Sequence, residues 1–282
     1  MRIRLGQNDY GKSRVRLLRV TRNDGHDEIK EVTIAIQFEG DFESAHTAGD
    51  NSKILPTDTM KNTVYVLAKQ YPPEPIEEFS THLIEHFLTY NPQVSRVRVD
   101  SSEQLWERIA IGGKPHGNAF VRAGAEKRTA IVAGTREGFE YTAGIEDLVI
   151  LKSADSGFEG YISDPYTTLK ETPDRILATS MAARWQYASE DIGFSAIWHG
   201  VRRTLLETFA EHHSLSLQHT LYAMGEAVLQ SFEPITEIRL SMPNKHYNLV
   251  DLKPFGMEND DEIFLPIDEP HGLIEATLRK DA

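Results

Sequence analysis

Apolar residues recur at two different periods along this chain, and the period changes in the same order twice. Val15, Leu17 and Val20 stand among arginines in Ser13–Thr21, and from Val32 through Ile34 and Ile36 to Phe38 every second residue is apolar. Such alternation marks strands with one buried face, and Asp24-Gly25 between the runs fits the turn of a long hairpin. The spacing then lengthens: Met60, Val64, Leu67 and Tyr71 follow Thr57-Asp58, and Ile76, Phe79, Leu83 and Phe87 follow the Pro72-Pro73-Glu74-Pro75 break. These are the stripes of two amphipathic helices. Strand character returns over Val94–Val99, Gln104–Gly112, Asn118–Ala123 and Thr129–Ala133.

The second half repeats the order. Strands at Leu148–Leu151 and Ile176–Trp185 precede one helical face made by Phe194, Ile197, Val201, Leu205 and Phe209, and another made by Leu217, Leu221, Met224 and Val228. Ile235–Leu240, Tyr247–Leu252 and Leu273–Leu278 read as closing strands. Two strands, two helices and two strands, twice over, predict an α+β tandem of one unit, antiparallel sheets with paired helices on one face. The divide falls between 1–138 and 139–282. Between two of the closing strands lies a polar insert, Ser241-Met242-Pro243-Asn244-Lys245-His246, where proline predicts a turn or a strand break.

Composition narrows the chemistry. With 43 acidic against 30 basic residues the net charge is −13, which argues against general nucleic-acid binding. There are no cysteines, so disulfides, zinc–thiolate sites, iron–sulfur clusters and cysteine nucleophiles are excluded. No apolar run approaches the ~18 residues of a membrane span. The start, Met1-Arg2-Ile3-Arg4-Leu5-Gly6, has no leader-like core, and Leu278-Arg279-Lys280-Asp281-Ala282 is not a peroxisomal address. The expectation is a cytoplasmic protein.

Most motif matches have plain structural readings. His82-Leu83-Ile84-Glu85-His86 has metallopeptidase spacing but no marked third ligand, and two histidines at the rim of a helix stripe explain it equally. His212-His213 complements a helix C-terminus. Gly112-Gly113-Lys114-Pro115-His116-Gly117 lacks phosphate-loop spacing and reads as a hairpin turn. No dinucleotide fingerprint or nucleophile elbow is present.

Taken together, several scattered polar segments resemble urate oxidase (uricase). They are Tyr10-Gly11-Lys12, Asp50-Asn51-Ser52 with Thr57-Asp58 and Lys61-Asn62-Thr63, and Lys152 through Arg175. Ser216-Leu217-Gln218 and Pro243-Asn244-Lys245-His246-Tyr247 complete the set. They keep the family's order over nearly the whole chain; Ala154, Pro173 and the missing peroxisomal tail depart from it, the last pointing to a bacterial type. The resemblance implies the tunnelling fold, in which tandem β-β-α-α-β-β units form barrels on oligomerisation. It also implies a homotetramer with active sites between subunits. The implied reaction oxidises urate with dioxygen and water to 5-hydroxyisourate and hydrogen peroxide, without metal or organic cofactor.

By the same resemblance Lys12, Thr57 and His246 form a proton relay. Thr57, Asp58, Phe158, Arg175, Leu217, Gln218 and Asn244 contact the substrate. These residue types suit it: a guanidinium fork can grip a carbonyl oxygen and ring nitrogen. An amide donates and accepts at once, and an aromatic ring stacks on a purine. Leu217 matches a position that uses its backbone, and Asn244 with Thr57 would hold dioxygen or water above the ring. Two other readings stay open: a zinc-dependent relative anchored on His82 and His86, and a purine-binding scaffold without turnover.

Overall fold

In the computed structural model, residues 3–189 and 192–281 are described. The outermost residues of the two ends read above, Met1-Arg2 and Ala282, lie outside them. The elements run β1 (Tyr10–Thr21), β2 (Glu28–Gly40), α1 (Glu43–Ala48), α2 (Thr57–Gln70), α3 (Ile76–Tyr90), β3 (Val94–Ile111) and β4 (Lys114–Gly134). They continue with β5 (Phe139–Lys152), β6 (Leu177–Tyr187), α4 (Phe194–Glu211), α5 (Leu217–Ser231), β7 (Ile235–Leu249) and β8 (Phe264–Arg279), with a short 3₁₀ turn at Lys253–Phe255. The strands neighbour one another in sequence order from β1 to β8, an antiparallel α+β arrangement. Among the described residues no helix is long and apolar enough to cross a membrane.

The chain divides into two compact units, one of Met1–Gly144 with Gln186–Ala196 and one of Ile145–Trp185 with Ile197–Ala282. In the first, the alternation read from sequence is the core: Val32, Ile34, Ile36 and Phe38 on β2 are fully buried, with Val97 and Val99 on β3 and Val132 on β4. Met60, Val64 and Leu67 of α2 and Ile76, Phe79, Leu83 and Phe87 of α3 cover this face. The opposite face is polar and ion-paired, with Glu31 holding Arg16 at 2.7 Å and Arg122 at 3.4 Å. Glu77 of α3 is wholly buried, 2.7 Å from an equally enclosed Arg128 on β4. Burial pushes the Glu77 carboxyl upward while Arg128 opposes it. In the second unit Leu221, Met224 and Val228 of α5 pack with Ile238, Leu240 and Met242 of β7, all buried.

Three sequence expectations change. First, β3 and β4 are each one long strand rather than two. Gly124 sits at φ +106° where the register slips, so the polar stretch there is a bulge that glycine permits, not a break. The turn between them was read correctly: Gly112 and Gly113 both have positive φ, and Ile111 pairs with Lys114. Second, the insert Ser241–His246 does not break its strand, because β7 runs on to Leu249 and Pro243 pairs with Leu273. The irregularity falls on the partner strand, where Gly272 opposes Asn244 but Ile267 opposes His246. Third, α1 was not foreseen; it buries no residue and therefore has no apolar stripe to read.

Candidate active site

The predicted site residues fall into two groups, one in each compact unit. In the first unit, Lys12 lies on β1 opposite Ile36, and the strand then kinks before Val15, with Arg14 at φ +56°. Its neighbours fix it. A Cβ on Gly11 would stand 1.7 Å from the Ile36 carbonyl oxygen, closer than any side chain permits. The Tyr10 ring meets Phe42 edge-on at 4.8 Å, and its hydroxyl accepts the Leu55 N–H at 2.9 Å. Leu55 precedes Pro56, the N-cap of α2, so one tyrosine ties the strand carrying Lys12 to the first turn that carries Thr57 and Asp58. Thr57 is the first helical residue rather than the cap, and no side chain caps this helix. Asp58 accepts from Lys61 and Asn62, and the Lys61 hydrogen bond, with a smaller pull from Lys12, holds its carboxyl below the usual carboxylate range.

We expect Gly11→Ala to destabilise the protein by about 2–4 kcal/mol, because the clash is with backbone that cannot rotate away. Thermal melting checks this; an unchanged melting temperature would show that β1 can shift at no cost.

In the second unit, Phe158 and Arg175 come together although they lie seventeen positions apart. Phe158 and Thr172 exchange backbone hydrogen bonds of 2.8 and 3.2 Å, and Asp174 Oδ1 accepts from the amides of both Ser156 (3.0 Å) and Arg175 (2.9 Å). The result places the Arg175 guanidinium carbon 5.1 Å from the Phe158 ring centroid. Arg175 Nε is buried and has no hydrogen-bond partner among the described residues, and burial pulls the guanidinium pKa below its ordinary value. Tyr161 stacks on Phe158 at 4.9 Å and 15°.

Leu217 and Gln218 are the first two residues of α5, which Ser216 caps by accepting the His219 N–H at 3.1 Å. Leu217 is buried, so its side chain anchors the helix, whereas Gln218 is exposed. The segment 155–157 reaches this helix start by backbone bonds from Ser214 N to Asp155 O (2.9 Å) and from Gly157 N to Ser214 O (2.8 Å). On β7, Ile238, Leu240 and Met242 are buried in alternation, which gives way from Pro243 to Tyr247 to an even half-burial that includes Asn244 and His246. Lys245 takes the other face and pairs with Asp268 at 2.7 Å.

Sequence reasoning missed Tyr161, and it missed Thr220, which is fully buried inside the apolar stripe of α5. A hydroxyl interrupting Leu217 and Leu221 was the available signal. His82 and His86 are occupied otherwise: His82 stacks on Tyr71 at 4.2 Å and lies 3.5 Å from Glu85, and His86 packs on Tyr90 at 4.7 Å. Among the described residues no group of three or more His, Cys, Asp or Glu side chains is placed to hold a metal.

This antiparallel α+β protein carries a guanidinium beside an aromatic ring and an amide at a helix start, groups chemically suited to stacking on and hydrogen-bonding a flat heterocycle. The uricase family model matches residues 8–133 and 141–275. The uricase of Arthrobacter globiformis is 47% identical over 98% of this chain and 90% of its own length, and that of Oryctolagus cuniculus 39% identical over 96% and 93%. The crystal structure of the Arthrobacter globiformis uricase superposes with a TM-score of 0.94 at 46% identity, covering 100% of this chain and 96% of that one. This chain belongs to the uricase family.

Proposed function

We propose that the two groups of residues are the two halves of one urate site, each completed by a neighbouring copy of the chain. As a uricase the protein oxidises urate with dioxygen in purine degradation. The observation that carries the site assignment is the buried, unpartnered Arg175 Nε beside the Phe158 ring. A purine stacked on Phe158 brings a carbonyl oxygen or ring nitrogen to that donor and ends its unsatisfied state. Gln218 reads the opposite edge, and the start of α5 at Leu217 and Gln218 favours an anion there.

In this reading Lys12, Thr57 and His246 move protons. The bound urate is stripped to its dianion, which is electron-rich enough to give two electrons to dioxygen. With two protons the oxygen leaves as hydrogen peroxide, and a water adds at C5 to give 5-hydroxyisourate. Thr57 suits the middle of the relay because its hydroxyl both donates and accepts. Asn244, on the His246 face of β7, holds dioxygen and then water above the ring, and Asp58 helps to set the first turn of α2. No cofactor enters this scheme.

A homotetramer of two tandem units per chain, 1–138 and 139–282, is part of the proposal. Its support lies in the edge strands. Both β1 and β8 end the strand order and expose apolar side chains, Leu18 and Val20 on one and Leu265 and Leu273 on the other. Long open edges of this kind call for pairing. The direct test is urate absorbance and peroxide release in chelator-treated protein. Stoichiometric peroxide is the expected result, and no turnover by folded, metal-stripped protein would overturn the cofactor-free scheme.

A further inference from the structure

Behind the substrate-facing loop and helix of the second unit lies a chain of hydroxyl groups to which the proposed reaction assigns nothing. Ser214 and Thr220 are both completely buried. Ser214 Oγ donates to the Ser216 carbonyl at 3.0 Å, and Thr220 Oγ1 donates to Ser214 Oγ at 2.8 Å. Each hydroxyl owns one hydrogen, so both are then spent. The His212 ring lies with Nδ1 3.3 Å from Thr220 Oγ1. With its hydrogen on Ser214, or on the Ser216 carbonyl 3.3 Å away, the threonine oxygen is left to accept from the ring when His212 carries its proton on Nδ1. Lys152 holds the other side of the residue, donating to the His212 carbonyl at 2.7 Å.

This chain ends on residues that matter. Ser216 caps α5 directly before Leu217 and Gln218, and Ser214 pairs through its backbone with the segment leading to Phe158. We propose that His212 is a positioning residue: by donating from Nδ1 to Thr220 it orients the two hydroxyls of Thr220 and Ser214, which end on the Ser216 carbonyl. It thereby fixes the loop of Phe158 and Arg175 against the first turn of α5. The groups that act on the ring are His219, whose ring is 4.3 Å away, with Lys152 and His213. All carry or can gain positive charge, and together with burial, the larger cause, they keep His212 neutral to lower pH than an ordinary histidine. Its role is therefore that of a fixed hydrogen-bond donor, not of a proton carrier. The proposal rests on the urate-site reading above.

Two histidine variants and a threonine variant test it. His212→Ala removes the donor, His212→Asn keeps an N–H close to the Nδ1 position, and Thr220→Val removes the hydroxyl at nearly constant volume. Urate KM, kcat and xanthine affinity are measured on each; xanthine keeps the purine dione but lacks the oxygen at C8. His212→Ala and Thr220→Val are expected to raise KM and the xanthine Kd by about five- to thirtyfold, the scale of a lost buried hydrogen bond, with kcat at saturating urate little changed. His212→Asn should recover most of that loss. Unchanged KM and Kd in folded His212→Ala, a fall in kcat alone, or an asparagine variant as weak as the alanine one each overturns the proposal. If His212→Ala does not fold, Thr220→Val and His212→Asn decide by the same criteria. Arg175→Ala is the control: if it keeps xanthine affinity, the purine subsite itself is wrongly placed. If it loses affinity while the His212 variants do not, only the positioning role fails.

Discussion

Mixing Lys12→Ala protein with Arg175→Ala protein, after dissociation and reassembly together, is expected to restore urate turnover that neither has alone. Lys12 and Thr57 lie in one compact unit, and Phe158, Arg175, Gln218, Asn244 and His246 in the other. If each site takes its relay lysine from one chain and its guanidinium from a neighbour, a mixed assembly contains some sites with both residues intact. For equal, randomly mixed subunits the intact fraction is about a quarter, since each half is sound in half of the chains and a symmetric interface pairs them independently. Turnover at that level supports a site shared between copies. A mixture as inactive as its two parents sinks it, because a site built within one chain stays broken in every subunit.

The second large effect concerns chemistry rather than assembly. Lys12→Ala should lower kcat by about 10²- to 10⁴-fold, the range for loss of a positioned proton-transfer group, while changing xanthine affinity by only about threefold or less. The separation follows from the structure: Lys12 stands on β1 beside the first turn of α2, whereas the purine-reading groups sit on other elements. Removing the relay should therefore leave the ring-binding surface in place, and a loss confined to kcat is how a group used only in the transition state reveals itself. Parallel loss of affinity would make Lys12 a binding residue instead.

Legibility varied with the physics of each segment. The helices α2, α3 and α5 and the buried faces of β2 and β7 could be read because a single face is apolar and the period follows from burial. The bulge at Gly124 and the passage of β7 through Pro243 were not legible, since both turn on pairing with distant strands, which local composition does not encode. The site was legible only through its resemblance to a family. Lys12, Thr57, Phe158, Arg175, Gln218, Asn244 and His246 are chemically ordinary one by one, and nothing in their spacing assembles them. What places them within each unit is tertiary: Tyr10 on the Leu55 amide, Asp174 on two backbone amides, and the buried alternation of β7 running out into polar residues. Tyr10 and Asp174 sit inside the segments that carry the resemblance, but their tasks are visible only in three dimensions.

The unpartnered Arg175 Nε has a consequence for selectivity. In the proposed site a purine with an acceptor at that edge gains a charge-assisted hydrogen bond and removes an uncompensated buried donor in one step. An analogue with carbon or an N–H there gains nothing and keeps the donor sealed from water. Discrimination at this edge then exceeds the worth of one hydrogen bond, because rejection is driven by the protein's own unsatisfied group. In the proposed site Arg175 would thus act as a filter on which heterocycles can settle at all, before any oxidation begins.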